Sequence, residues 1–360
     1  MRYPRILFYA VNGLGLGHVT RLLAIGRELR KRLPEAELVY FTSSEAEDVI
    51  FREGFAAYKV PSRSLRTRSG IRPSTYARML HTVTLNLIAS FHPHVIVVDT
   101  FPAGSLQELL PILRWDARKV FVYREQRPEA ALSPVFQNAL RLYDLALIPH
   151  TRGTTVIQAP EDMESVWTGP ILIRDRDSAL DREEARARLG LTQDGAALYL
   201  TFGGGGDPAM DAAMALSIDA LAGRGRHLAV AHAPLFNGRI PQREGVTVLH
   251  HYPMAEMYRA FDGAISAAGY NSSMELLHHG VPTALVPFPR QVDDQLLRAQ
   301  TLAAAGAALC VDPFTADSVC AAAQELLDPA RAAELSAQSR QHVPANGATA
   351  AADAIAELIS

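Results

Sequence analysis

Short, almost uninterrupted apolar runs recur along this chain, and they limit its fold more than any other feature. Ile6–Val11, Leu38–Phe41, Ala56–Val60, Val95–Asp99, Val120–Tyr123 and Leu145–Pro149 come first, with helical patterns between them. A second series follows at Ala196–Phe202, His227–His232, Val246–His250, Gly263–Ala268 and Thr283–Phe288. A strand with one wet face alternates polar and apolar residues. These runs do not, so both faces must be covered, as in a parallel sheet flanked by helices. The expected class is therefore α/β, built from βαβ units. At 360 residues the chain exceeds one ordinary core and is comfortable as two domains.

Ser266–Gln295 carries the densest chemistry. The apolar run Gly263–Ala268 breaks at Gly269, and Asn271, Ser272 and Ser273 follow, all favourable helix N-caps. A helix over Met274–His279 should stop at Gly280 with Pro282 beyond. A second strand, Thr283–Phe288, ends at Pro289, and Asp293 is expected to cap the next helix. Free N–H groups at the positive end of a helix dipole suit a phosphate. Glu275, expected on the first helical turn, could accept two bonds from a ribose diol. Asp294 and Gln295 could hold sugar hydroxyls. Such a set describes a nucleotide-sugar site.

The stretch GYNSSMELLHHGVP…PFPRQVDDQ resembles the donor box of GT-B glycosyltransferases, with the matching positions Gly269, Asn271, Ser272, Glu275, Gly280, Val281, Pro282, Asp294 and Gln295. It is similar to family 1 and, more loosely, to the family 28 transferases of peptidoglycan and glycolipid synthesis. Tyr270 stands where a Trp is usual, and Ala267 where many family 1 members have a phosphate-binding His. The resemblance implies two Rossmann-like domains with parallel sheets facing across a cleft. It places an acceptor-binding domain at residues 1–165, a linker at 166–178 and a nucleotide-sugar-binding domain at 179–342. A final helix within 343–360 would cross back to the first domain.

Asn12-Gly-Leu-Gly-Leu-Gly-His-Val-Thr-Arg21 follows the first strand. Glycines there also fit dinucleotide binding, but a dehydrogenase wants an acidic residue after its second strand, and this chain has Thr42-Ser43-Ser44. The Gly-His-Val-Thr-Arg segment resembles the first loop of GT-B transferases and of UDP-sugar hydrolases. By that resemblance His18 removes the proton of the acceptor hydroxyl, with Gly15 and Gly17 beside the acceptor. Imidazole exchanges protons near neutral pH, and general base catalysis is worth roughly 10²–10⁴ in rate. Asp99, at the end of a strand, is carried over as the group that orients His18; its bland alternative is a helix cap.

Gly54–Val98 contains no acidic residue but holds Lys59, Arg63, Arg66, Arg68, Arg72 and Arg78. Arg63–Arg72 reads as a loop that either binds an anionic or lipid-linked acceptor, touches membrane headgroups, or is simply solvated. Gly203-Gly-Gly-Gly-Asp207 follows a strand and precedes a helix, so Gly204 and Gly205 form a diphosphate cradle. Arg174 could neutralise the diphosphate, and Tyr252, before an expected helix to Phe261, could touch the base. Asp175-Arg-Asp177 has a metal-motif spacing but lies in the linker, and no metal or cofactor is expected. Net charge is −3, so nothing points to nucleic acid. No apolar run reaches membrane-spanning length, and because Met1-Arg-Tyr-Pro leads straight into a strand no signal peptide is expected. Cys310 and Cys320 lack metal spacing, which fits a reducing cytoplasm, with peripheral contact to the membrane's inner face. The reading is an inverting, metal-independent glycosyltransferase, UDP being the favoured nucleotide. Its alternatives are a nucleotide-sugar hydrolase and a non-catalytic sugar-nucleotide binder.

Overall fold

A computed structural model describes residues 3–11, 16–203, 208–223, 225–232, 240–290 and 293–359. The chain divides into two compact units, one of residues 1–171 with 347–360 and the other of residues 172–346.

The first unit holds β1 (Arg5–Ala10), β2 (Glu37–Thr42), β3 (Ala56–Lys59), β4 (Val95–Asp99), β5 (Arg118–Val122), β6 (Leu145–Ile148) and β7 (Ser165–Trp167). They form one sheet in the order β3-β2-β1-β4-β5-β6-β7, parallel throughout. The unbroken apolar runs have their reason here: β4 is buried at every position. Leu7, Ile96, Val98 and Phe121 pack on one face with Tyr76, Leu80, Leu87 and Ile88 of the helix Pro73–Phe91. On the other face the rings of Phe8 and Tyr40 stack at 4.6 Å, and the Tyr40 hydroxyl donates to the Leu22 carbonyl in the helix Gly17–Arg32.

The expected linker is not a separate element. Ser165–Trp167 is the edge strand β7, too short to signal itself, and Arg176–Ser178 is a 3-10 turn in the second unit. Residues 347–360 belong to the first unit, where the helix Ala348–Leu358 packs on Gly17–Arg32 and Arg32 pairs with Asp353. Gly347 makes the entry tight. Its N–H donates to the Pro170 carbonyl at 2.7 Å, and a Cβ there would run into the backbone oxygens of Thr168 and Gly169.

The second unit holds β8 (Ala197–Thr201), β9 (His227–Ala231), β10 (Val246–Leu249), β11 (Gly263–Ala267), β12 (Thr283–Val286) and β13 (Leu309–Cys310). Their order is β10-β9-β8-β11-β12-β13, again all parallel. Leu198, Leu200, Val230, Ile265 and Val286 pack with Ile218, Leu221, Val319 and Leu326. Leu285 faces Leu277, Ala299 and Leu302 in another cluster.

Both sheets reverse their strand order once, between β1 and β4 in the first and between β8 and β11 in the second. Ligands of such sheets sit at the carboxyl ends of the strands flanking the reversal. His18 and Asp99 follow or end the first pair; Gly203 and Gly269 follow the second.

Four local expectations are corrected. The stretch Arg63–Arg72 begins as a helix, Arg63–Arg68, because Ser62 caps it by accepting from the Leu65 N–H at 2.9 Å. The element before Phe261 is a 3-10 helix, Met254–Ala260, following a cis Tyr252–Pro253 bond. The donor-box helix starts four residues earlier than expected, at Tyr270, with Gly269 as its N-cap and no side-chain cap. Asn271, Ser272 and Ser273 therefore lie inside the helix, and Glu275 falls on its second turn. The next helix, Gln295–Ala304, is capped by Asp294 rather than Asp293, its Oδ1 accepting from the Leu297 N–H at 3.1 Å.

Candidate active site

In the first unit, the helix Gly17–Arg32 begins just past the β1 end, with no side-chain cap on its first turn. Gly17 is its first residue and His18 its second, while Gly15 lies outside the described residues. The His18 ring is mostly covered and lies 6.0 Å from the Phe101 ring, tilted. Its Nδ1 stands 3.4 Å from Asp99 Oδ1, within ion-pair range but too far for a hydrogen bond.

Asp99 is held more tightly by a residue the sequence reading quoted but gave no role. Arg21, one turn past His18 on the same helix, donates from Nε to Oδ2 at 2.9 Å and from Nη2 to Oδ1 at 3.1 Å. The Thr100 hydroxyl donates to Oδ1 at 2.5 Å. Arg21 is 2% exposed and Asp99 4%. Burial pushes the Asp99 carboxyl up, but the Arg21 guanidinium, and then His18, outweigh it and hold the group well below the usual carboxylate range. The signal was available: an arginine among Val19, Leu22 and Leu23 on the buried side of a helix needs a buried anion. Gln126 adds a further brace, its Nε2 donating to the Thr100 carbonyl at 3.0 Å.

The arginines expected on the acceptor side are partly committed to the fold. Arg63 donates to the Ser105 carbonyl at 2.7 Å, Arg68 pairs with Glu45, and Arg66 reaches Thr67 Oγ1 at 3.0 Å. Arg72 and Arg78 are exposed, as are Met79, Val83 and Leu85 on the same helix as Arg78.

In the second unit, Gly204 and Gly205 lie outside the described residues, and the loop is described up to Gly203, whose φ is +88°. Asn271 and Ser272 sit half-buried on the first turn of the helix Tyr270–His279, whose amide groups have no side-chain cap. The Ser273 hydroxyl is buried without a hydrogen-bond partner among the described residues. Glu275 is half-buried. Burial raises its carboxyl to about 7, against the pull of Arg174 and of a hydrogen bond from Tyr258. Tyr258 was not anticipated; its own hydroxyl is pushed well up by burial and then by Glu275.

Arg174 is 8% exposed and braced, donating from Nε to Glu256 Oε1 at 2.5 Å and from Nη1 to the Ile173 carbonyl at 3.1 Å. It is a fixed cation beside Glu275, not a solvated surface charge. Tyr252 is half-buried just before the cis proline. Asp294 is exposed and capping, while Gln295 is 5% exposed and accepts the Phe288 N–H on Oε1 at 3.0 Å. The amide NH₂ of Gln295 is the part of the side chain best able to donate to a ligand. Asp293 pairs with Arg298 at 2.6 Å. Arg298 in turn donates to the Ala268 carbonyl at 2.8 Å and lies over the Tyr270 ring. Among the described residues no cluster of three or more His, Cys, Asp or Glu could hold a metal, and no helix is long and apolar enough to cross a membrane.

Residues 236–358 match the glycosyltransferase family 28 C-terminal domain. The chain is 26% identical over 373 residues to the UDP-N-acetylglucosamine–N-acetylmuramyl-(pentapeptide) pyrophosphoryl-undecaprenol N-acetylglucosamine transferase of Desulforudis audaxviator, covering 95% of each chain. The enzyme of that name from Clavibacter sepedonicus is also 26% identical, over 98% of this chain and 97% of its own. Among solved structures, the spinosyn forosaminyltransferase SpnP superposes with a TM-score of 0.68 at 17% identity over 99% of each chain. MurG of Acinetobacter baumannii superposes with a TM-score of 0.60 at 16% identity, over 98% of this chain and all of that one. At such identities the structural likeness establishes the GT-B fold.

Proposed function

We propose that this chain, whose fold is GT-B and whose residues 236–358 match the glycosyltransferase family 28 C-terminal domain, transfers a sugar from a UDP-sugar to a lipid-linked acceptor with inversion. The observation that carries this reading is the build of Gly269–Gln295 within the matched domain. An uncapped helix start follows one strand, a half-buried carboxyl lies on that helix, and a capped second helix follows the next strand. The first-turn amides and Ser272 take the diphosphate, Glu275 takes the ribose diol, and Asp294 and the Gln295 amide take sugar hydroxyls. The names of the relatives make UDP-N-acetylglucosamine the first donor to test and a polyprenyl-diphosphate saccharide the first acceptor.

His18 is the base in this scheme. Its Nε2 takes the acceptor's proton as the acceptor oxygen bonds to the anomeric carbon. The bond from that carbon to the diphosphate oxygen breaks on the opposite side, and the diphosphate leaves with the electron pair. Backbone amides and the glycine loop stabilise the charge that develops, work that often dominates catalysis. The scheme routes no step through a metal. Arg72, Arg78 and the exposed Met79, Val83 and Leu85 would serve a peripheral contact with the membrane that carries the acceptor.

The test is a thermal-shift series with nucleoside diphosphates and their sugars, with and without EDTA, on wild type and Glu275→Ala. A ligand at a hundred times its dissociation constant adds about 2.7 kcal/mol. Stabilisation by a uridine compound that survives EDTA and is lost in the variant supports the donor site. No shift with any nucleotide overturns it. Free sugar released without acceptor would make water the acceptor instead.

A further inference from the structure

We propose that Thr100 and Arg21 are positioning residues for the proton transfer, together fixing the Asp99 carboxylate so that Oδ1 faces His18. The proposal rests on the reading of His18 as the base. A carboxylate has about four acceptor positions. Arg21 Nε fills one on Oδ2, and Arg21 Nη2 and Thr100 Oγ1 fill two around Oδ1. His18 Nδ1 stands 3.4 Å from Oδ1 and is itself without a hydrogen-bond partner among the described residues. Both ordinary positions on Oδ1 are taken, so the three bonds fix the plane of the carboxylate, and an approaching Nδ1–H shares Oδ1 with Arg21 Nη2 and the Thr100 hydroxyl. Catalytic hydrogen bonds are often long before substrate arrives and tighten in the complex.

The backbone at Thr100 shows that this arrangement is imposed. Thr100 has φ +68°, a region that β-branched residues rarely enter. Strain of this kind persists only where the surroundings over-determine it, and it gathers at functional sites. Here the Thr100 N–H donates to the Val122 carbonyl at 3.2 Å and the Thr100 carbonyl accepts from Gln126 at 3.0 Å. Glycine would take this backbone freely. What glycine lacks is the hydroxyl that reaches Oδ1. Arg21 completes the brace from the helix that carries His18, three residues on, so the carboxylate and the imidazole share one rigid support. The Asp99 charge is kept by Arg21 against burial. When the acceptor's proton reaches Nε2, the Nδ1–H of the imidazolium has an oriented anion to donate to.

Five variants test this: Thr100→Val, Thr100→Ser, Thr100→Gly, Arg21→Lys and, as a reference, His18→Ala. Each is assayed for kcat, for KM of donor and acceptor, and for thermal stability. Thr100→Val should lose about tenfold in kcat with both KM values unchanged, the effect of removing one hydrogen bond to a charged group. Thr100→Ser keeps the hydroxyl and should stay within about twofold of wild type on the same account. Thr100→Gly relieves the strain, so it should melt no lower than wild type yet lose kcat as the valine variant does. A purely structural threonine cannot produce that split. Arg21→Lys cannot make the two-pronged contact and should lose more than Thr100→Val. If His18→Ala is inactive while Thr100→Val and Thr100→Gly keep full kcat, this proposal is overturned and the base stands. If His18→Ala keeps its activity, the base falls and the proposal with it.

Discussion

Asp99 ends a strand beside the reversal of its sheet, and Glu275 lies on the helix that follows the corresponding strand of the other unit. Both are taken substantially out of water, and their titration moves in opposite directions. Asp99 receives a two-pronged guanidinium and a hydroxyl and stays ionised. Glu275 has a tyrosine hydroxyl and an arginine whose charge is already engaged by Glu256, and its carboxyl rises to about 7. Burial alone therefore does not decide what a carboxylate becomes; the donors supplied with it do. The first arrangement makes a permanent charge that can face an imidazolium. The second leaves acceptor positions open for a diol and costs stability until a ligand supplies the missing donors.

The largest effect that separates the two places is on turnover. His18→Ala should lower kcat by roughly 10²–10⁴ while the dissociation constant for the nucleoside diphosphate, measured by calorimetry, stays at the wild-type value. A loss of nucleotide affinity in that variant would show that the two functions are not divided between the units as supposed.

Stability breaks the comparison more directly. Asp99→Asn leaves Arg21 buried with a neutral partner, and breaking a buried pair costs about 3–5 kcal/mol. Urea unfolding should show it, with the first unit losing its structure earlier. The stabilising contribution of Asp99 is present above its unfolded value of about 3.9 and is lost only as the pH falls below that, toward its depressed folded value. Glu275 works with the other sign. Its folded carboxyl lies above the ordinary 4.5, so the native state holds the proton more tightly, and stability is lost as the pH rises through about 7. Glu275→Gln removes that loss. The variant should match wild type near pH 4.5 and exceed it at pH 8 by up to roughly 3 kcal/mol, visible as a flatter dependence of Tm on pH. Parallel curves for the two proteins would mean that Glu275 is solvated and that the contrast with Asp99 does not exist.

The sequence was legible where one residue type has one reason to be present. Runs such as Val95–Asp99 and Gly263–Ala268 are strands because only a doubly covered sheet buries them, and their bounds came out within a residue. It was less legible where several residues compete for one role. Asn271, Ser272, Ser273, Asp293 and Asp294 all make good caps in isolation. The structure starts one helix at an uncapped glycine and gives the other to Asp294, because Asp293 is drawn away by Arg298. Arg21, buried on its helix, signalled a buried anion but not which one, since Asp99 lies 78 residues away; Tyr258 carried no separable signal, since it acts through Glu275. β7, three residues long, is set by pairing with β6 rather than by its own pattern.

Arg298 supplies the smallest and most specific test, because it is the second unit's counterpart to Arg21. Both arginines lie early on a helix, both are largely buried and both pair with an aspartate near the site. Arg21 braces a carboxylate that faces the chemistry. Arg298 braces a backbone carbonyl, that of Ala268, immediately before the helix start at Gly269. It thereby ties the expected diphosphate turn to Asp293, one residue before the segment expected to hold the sugar. Replacing it by methionine keeps the apolar stem and the packing beside Tyr270 but frees the carbonyl. Nucleoside-diphosphate affinity should weaken by about 1–2 kcal/mol, one hydrogen bond from a charged donor, while kcat at saturating donor changes little. Arg298→Lys, which can still donate once, should fall between. A methionine variant that binds the diphosphate as wild type does but loses kcat would place Arg298 in the chemistry, and the division between a braced charge in one unit and a braced turn in the other would have to be given up.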